Sequence, residues 1–151
     1  MKIMFVCHGN ICRSPMAEFI LKDLLEKNGI AHLHEVASSA VSSEELGNPV
    51  YASAKRELAR HGISCEGKRA VQLQRSDYDK YDLFLAMDNS NLIHMCRIFP
   101  IDPKHKVHLL LEFAGKNGGE IADPWYNENF EKAYEEIESG CRGLLDTLLN
   151  K

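Results

Sequence analysis

At 151 residues, 44% of them apolar, the chain is sized for a single domain, residues 1–151, with a substantial core. With 18 basic against 22 acidic side chains the formal charge is −4, and no basic run forms a nucleic-acid footprint. No stretch is long enough for a transmembrane helix, and the apolar start is too short for a signal-peptide core. An odd set of 5 cysteines then points to reduced thiols and a cytoplasmic protein.

Ile3-Met4-Phe5-Val6 predicts a short buried strand at about 2–7. Next comes Cys7-His8-Gly9-Asn10-Ile11-Cys12-Arg13-Ser14-Pro15. Ser14 suits a helix cap and Pro15 a first turn. Met16, Ala17, Ile20, Leu21 and Leu24 follow at helical spacing, so a helix is expected over about 15–28, ending near Asn28-Gly29. A second strand is expected at about 34–38, then a polar loop from Ser38 to Asn48, then a helix from Pro49 to about His61, stopped by Gly62. Ala70-Val71-Gln72 reads as a short extended piece and Arg75 to Lys80 as one helical turn. Asp82 to Met87 is a buried strand, and Asp88 or Ser90 caps a helix to about Phe99. Lys106 to Leu109 is a last strand. Phe130, Ala133, Ile137, Cys141, Leu144 and Leu148 form one stripe of a helix over about 129–149. Alternating strands and helices predict an α/β fold, a parallel sheet with helices on both faces. Sites in such sheets lie beyond the carboxyl ends of the strands, where both Cys7 and Met87-Asp88 fall.

A cysteine at a strand end, a glycine-bearing loop, a fixed cation and a helix start suit the holding of a phosphate-like dianion against a thiolate. Loop N–H groups and the helix dipole favour an anion. The thiolate, not the thiol, attacks phosphorus. Gly9 permits close backbone approach. Arg13 offers a planar fork matching two phosphate oxygens. Asn10 can fix the loop's shape by hydrogen bonding, and the Ser14 hydroxyl can stabilise the leaving thiolate. His8 reads as a surface residue of the loop rather than a base. Cys12 has two readings, simple packing or a thiol that traps oxidised Cys7 as a disulfide.

The leaving oxygen needs a proton, since a tyrosine hydroxyl has a pKa of about 10. Asp123-Pro124-Trp125-Tyr126 holds the candidate acid. Pro124 stiffens the segment and biases Asp123 toward extended backbone. Trp125 and Tyr126 would wall an aromatic substrate; the alternative is an Asp-Pro turn whose aromatics pack as core. Cysteine and histidine spacings form no zinc pattern, and no metal or other cofactor is expected. Glu135-Glu136-Ile137-Glu138 reads as a solvated helix face.

Val6-Cys7-x-Gly9-Asn10-x-Cys12-Arg13-Ser14-Pro15, with Asp123-Pro124 near the C-terminus, resembles the low-molecular-weight protein tyrosine phosphatases. Ser38-Ser39-Ala40, His61-Gly62-Ile63, Tyr81-Asp82, Met87-Asp88 and Asn91-Leu92 extend the similarity over nearly the whole chain. The resemblance implies a flavodoxin-like three-layer sandwich around a four-stranded parallel sheet. It implies hydrolysis of phosphotyrosine in proteins, and of small aryl phosphates, through a cysteinyl-phosphate. Cys7 would be the nucleophile, Arg13 the phosphate clamp and Asp123 the general acid. His8, Gly9, Asn10, Ile11, Cys12 and Ser14 would form the phosphate-binding loop, with phosphate or vanadate as site ligands. Ser38, Asp88 and Asn91 would be supporting polar residues.

Some positions depart from the family pattern. The loop Ser42-Ser43-Glu44-Glu45 carries Glu44 where many members place an aromatic wall, which implies a bias against acidic peptides. Val50-Tyr51-Ala52-Ser53 replaces Asp-Pro-Arg, Lys68 or Gly67 stands for a histidine, and Val71 for an arginine. Arsenate reductases share the fold and Cys-x5-Arg loop but need two relay cysteines. Here Cys65, Cys96 and Cys141 stand apart, with Cys96 and Cys141 on expected buried stripes. Protein-arginine phosphatases of the family favour threonine where Ile11 stands. A phosphocarrier or a silent phosphotyrosine-binding module would not call for Asp123 together with Arg13.

Overall fold

The structure is a computed structural model describing residues 1–150. Its centre is a four-stranded, all-parallel sheet in the order β2-β1-β3-β4, built from β1 (Lys2–Cys7), β2 (Glu35–Ala40), β3 (Leu83–Ala86) and β4 (Val107–Leu109). Six helices accompany it: α1 (Arg13–Lys27), α2 (Ala52–Arg60), α3 (Asp77–Lys80), α4 (Asn89–Ile98), α5 (Pro124–Asn127) and α6 (Phe130–Leu149). This is the flavodoxin-like arrangement.

The period-2 geometry of strands divides the core into two layers. Ile3 and Phe5 of β1 and Leu83 and Leu85 of β3 face Met16 and Ile20 of α1 and Ile137 and Leu144 of α6. Met4, Val6, Phe84 and Ala86 face the other way, toward Met95 and Phe99. Both central strands are therefore buried on both faces, which is why they read as unbroken apolar runs. The order reverses beside β1, so the chain leaving β1 and the chain leaving β3 part there and open a crevice at the strands' carboxyl ends.

Several boundaries differ from expectation. α1 starts at Arg13 with Cys12 at the N-cap and no side-chain cap, because the Ser14 hydroxyl is engaged with Cys7 and Asn10 instead. β2 continues through Ala40, and Ser38–Ala40, expected as loop, pair with Phe5–Cys7. α2 begins at Ala52 rather than Pro49. Residues 47–49 are drawn into extended pairing with 69–70, where Gly47 donates to the Ala70 carbonyl and Ala70 to that of Asn48, both at 2.9 Å. The extended piece at 70–72 meets the sheet in one bridge, Ala40 with Gln72. Two 3₁₀ turns, Ala31–Leu33 and Leu110–Ala114, and the short α5 were not foreseen. Cys96 is exposed, against the expectation of burial; only Cys141 lies on its helix's buried stripe. Among the described residues no helix is long and apolar enough to cross a membrane.

Candidate active site

The loop from Cys7 to Arg13 wraps around the Cys7 sulfur. Ser14 Oγ lies 2.9 Å from Sγ, and the backbone N–H groups of Asn10 and Ser14 donate to it at 3.3 and 3.4 Å. Three hydrogen-bonding groups thus converge on the sulfur. The tight curve needs a residue at positive φ, and Asn10 supplies it at 59°. Its buried amide locks the turn, donating to Ser14 Oγ at 2.8 Å and Ser38 Oγ at 2.9 Å while accepting from the Val71 N–H at 3.1 Å.

Behind this turn lies a charged network that the sequence reading missed. Ser38 Oγ donates to buried Glu18 Oε1 at 2.6 Å, Lys22 Nζ reaches Glu18 Oε2 at 2.6 Å, and Lys68 Nζ donates to the Ser38 carbonyl at 2.9 Å. Burial lowers the Lys68 pKa, with Glu18 opposing it. In the sequence, Glu18 four residues before Lys22 looks like a surface ion pair. The available signal was its place among Ala17, Ile20 and Leu21 on the apolar side of α1.

Arg13 is buried at the helix start. Its Nη1 donates to Asp88 Oδ2 at 2.6 Å and to the Ile121 carbonyl at 2.8 Å; Nη2 lies 3.5 Å from Asp123 Oδ2. Burial works against its charge, but Cys7, Asp88 and Asp123 outweigh that cost and hold the guanidinium above its ordinary pKa. Asp88 is itself fixed as the N-cap of α4, accepting from the Asn91 N–H at 2.8 Å. Asn91 Oδ1 in turn accepts from the Met87 and Asp88 N–H groups at 3.1 and 3.2 Å. Ile121 donates its N–H to the Met87 carbonyl at 2.9 Å, which pins the start of the Asp123 segment to the end of β3.

Asp123 caps α5, its Oδ1 accepting from the Trp125 N–H at 3.0 Å, with Pro124 in the first turn. Trp125 is 48% and Tyr126 83% exposed, so neither is a core residue, and both border the site. Trp125 leans on Tyr51 (ring centroids 4.8 Å apart), which stacks on Phe130 at 5.9 Å.

These segments enclose a cavity of about 160 Å³. Cys7, His8, Gly9, Ile11, Cys12, Arg13, Glu44, Asp123, Trp125 and Tyr126 line it, joined by Glu45, which sequence reasoning did not single out. Asn10, Ser14, Ser38, Asp88 and Asn91 stand behind the lining as supports. His8 Nε2 lies 3.5 Å from Glu44 Oε2 at the rim. Burial first, then the nearby Cys7 and Asp123 charges, push the Cys12 thiol up, so that it stays protonated. The cavity thus presents a sulfur ringed by donors, a fixed cation and a carboxylate to one small volume. That set can attack a tetrahedral dianion and protonate what leaves it.

A family model for the low molecular weight phosphotyrosine protein phosphatases matches residues 2–151. The low molecular weight protein-tyrosine-phosphatase YfkJ of Bacillus subtilis is 34% identical over 147 residues, 97% of this chain and 94% of that protein. PtpA of Staphylococcus haemolyticus, also a low molecular weight protein-tyrosine-phosphatase, is 37% identical over 97% and 93%. The crystal structure of YfkJ superposes with a TM-score of 0.95 over 99% of this chain and 95% of that one, at 33% identity. A Drosophila arginine phosphatase superposes at 0.87, with 33% identity over 98% of both chains. Sequence and structure agree over nearly the whole chain, and it belongs to the low molecular weight phosphotyrosine protein phosphatase family.

Proposed function

We propose that Cys7, Arg13 and Asp123 carry out phosphotyrosine hydrolysis in two displacements at one phosphorus. The observation that carries this reading is the convergence of the Cys7 sulfur, the Arg13 guanidinium and the Asp123 carboxylate on one cavity. In the first step the Cys7 thiolate forms a bond to phosphorus, the phosphorus–oxygen bond to tyrosine breaks, and protonated Asp123 gives its proton to the departing oxygen. In the second, water attacks the cysteinyl-phosphate, the Asp123 carboxylate takes the water's proton, and the sulfur leaves as a thiolate. Ser14 Oγ and the two N–H groups on the sulfur stabilise that leaving thiolate. Arg13 compensates the charge on the transferring phosphoryl oxygens, the largest electrostatic demand of the reaction. Phosphate and vanadate are expected to occupy the same place.

Depth supports the choice of substrate. Cys7 is 3% exposed, below a rim of Trp125 and Tyr126. A phenyl ester is long enough to carry its phosphate to the sulfur, whereas a serine ester strands it above. Apolar Ile11 in the wall fits the aryl ring. Five free cysteines suit a reducing compartment, and the cytoplasm is the proposed place of action. The test is a panel of peptides bearing phosphotyrosine, phosphoserine, phosphothreonine or phosphoarginine, with Cys7→Ser as control. Phosphotyrosine is expected to turn over far faster than the rest. A leading rate on phosphoarginine would instead assign this chain the activity in the Drosophila neighbour's name.

A further inference from the structure

Beside the catalytic cavity runs a larger groove, about 590 Å³, which the reaction steps do not use. The two share Ile11, Glu45 and Trp125, so a substrate chain leaving the cavity past these side chains enters the groove directly. The start of α2 forms one wall and the 65–69 turn the other. Tyr51 ties this wall to the active site twice. Its N–H donates to the Ile11 carbonyl at 2.9 Å, and its ring supports Trp125. The floor is apolar, with Val50 and Cys65 buried. Its volume lies in the range of about 300–1,000 Å³ common for sites that hold organic ligands, far more than a phosphate needs.

The charges of the groove are asymmetric. Three cations, Lys55, Lys68 and Arg69, line it against two carboxylates, Glu45 and Glu66. Lys68 is already committed to Ser38 and Glu18. Glu45 accepts from the Asn48 side chain at 2.6 Å. Arg69 spends one N–H on the neutral Gly47 carbonyl, at 2.9 Å, and among the described residues neither Arg69 nor Lys55 has a carboxylate within 4.0 Å. Two exposed cations thus remain unpaired at the groove's edge. Glu44, by contrast, lines the catalytic cavity but not the groove.

We infer that the groove is a subsite for the peptide on one side of the phosphotyrosine, and that Lys55 and Arg69 select an acidic side chain there. The inference rests on the phosphatase reading above. Exposed cations hold a free anion weakly, but a peptide anchored by its phosphotyrosine presents its own carboxylate at high effective concentration. An acidic residue on the Glu44 side meets repulsion instead. The enzyme therefore reads the polarity of the sequence around its target, rather than overall peptide charge.

The experiment uses phosphotyrosine peptides of one length in a neutral background, with a single glutamate moved through each position on both sides. Wild type, Lys55→Glu, Arg69→Glu and the double variant are compared, with p-nitrophenyl phosphate as a reporter of an intact catalytic site. Glutamate on one flank is expected to raise kcat/KM through KM by roughly 1.5- to 5-fold for each exposed pair. The gain should fade at high salt and vanish or invert in the double variant, while p-nitrophenyl phosphate hydrolysis stays unchanged. Lys55→Gln with Arg69→Gln should abolish the gain without inverting it. A flat profile, equal gains on both flanks, or a gain that survives the double variant would overturn the subsite while leaving the phosphatase reading intact. Failure of wild type on every phosphotyrosine peptide would overturn both.

Discussion

Cys7 and Asp123 are assigned opposite ends of the bond that breaks, so their loss should have different signatures. Cys7→Ser should abolish turnover while retaining phosphate binding, because the loop N–H groups and Arg13 remain in place. Measurable turnover at more than a small fraction of wild type, without contamination, would remove the covalent step. Asp123→Asn should slow phosphotyrosine hydrolysis by about 10²–10³-fold, within the range of general acid catalysis. With a nitrophenyl ester, whose leaving group is stable as an anion, the loss should be much smaller. A leaving-group series for both proteins checks this, and parallel slopes would return Asp123 to the role of a helix cap. The three residues that meet in the cavity, Cys7, Arg13 and Asp123, could be singled out in the sequence because each role proposed for them admits few residue types. Glu18 was not, since a buried carboxylate and an exposed one have the same letter and the same spacing to Lys22.

Between residues and fold stand the elements, and here the sequence was readable where burial alone decides structure. The α6 stripe emerged as expected because period 3.6 is set by packing. The N-terminus of α2 did not, because backbone pairing between 47–48 and 70 overrode the helix-start preference of Pro49. Nor was the turn before β4 visible. There Asp102 accepts from Tyr78 Oη at 2.5 Å and from the Lys106 and Val107 N–H groups at 2.8 and 3.1 Å. Burial raises the Asp102 pKa, but the Tyr78 hydroxyl, those two N–H groups and His105 outweigh it, leaving it below the ordinary 3.8. A carboxyl group with a depressed folded pKa stabilises the fold above the unfolded value and loses that contribution as pH falls through the folded one. Asp102→Asn should therefore lower Tm at neutral pH, and the gap to wild type should close as pH drops below about 4. A gap constant with pH would show that the charge is not what the turn uses. Gly143 offers a second element-scale test. A Cβ there would lie 1.8 Å from the Phe113 carbonyl oxygen, so α6 seats on the 3₁₀ turn only through a bare Cα. Gly143→Ala should destabilise by about 1–3 kcal/mol by denaturant titration, despite alanine's better helix propensity. A stabilised variant would show that the two segments can part without cost.

At the scale of the molecule, the site is a junction of segments far apart in sequence, and Arg13 is where they meet. From the loop after β1 it reaches Asp88 after β3, the Ile121 carbonyl and Asp123. An anion bound there adds a further contact to a joint that already links both core layers, and it binds only the folded chain. At a phosphate concentration of 100 times Kd this linkage is worth about 2.7 kcal/mol. At ~2–4 °C per kcal/mol for a chain of this size, Tm should rise by roughly 5–11 °C. Cys7→Ser should keep a comparable shift, since the sulfur is not what holds the anion. Arg13→Lys replaces a two-pronged fork by a point charge. If binding weakens about 100-fold, the remaining stabilisation is near RT ln 2 and the shift falls below about 2 °C. Thermal melts of the three proteins with and without phosphate, at constant ionic strength, make the comparison. Equal shifts in wild type and Arg13→Lys would place the anion away from this junction, and the clamp assigned to Arg13 would have to be given to another cation.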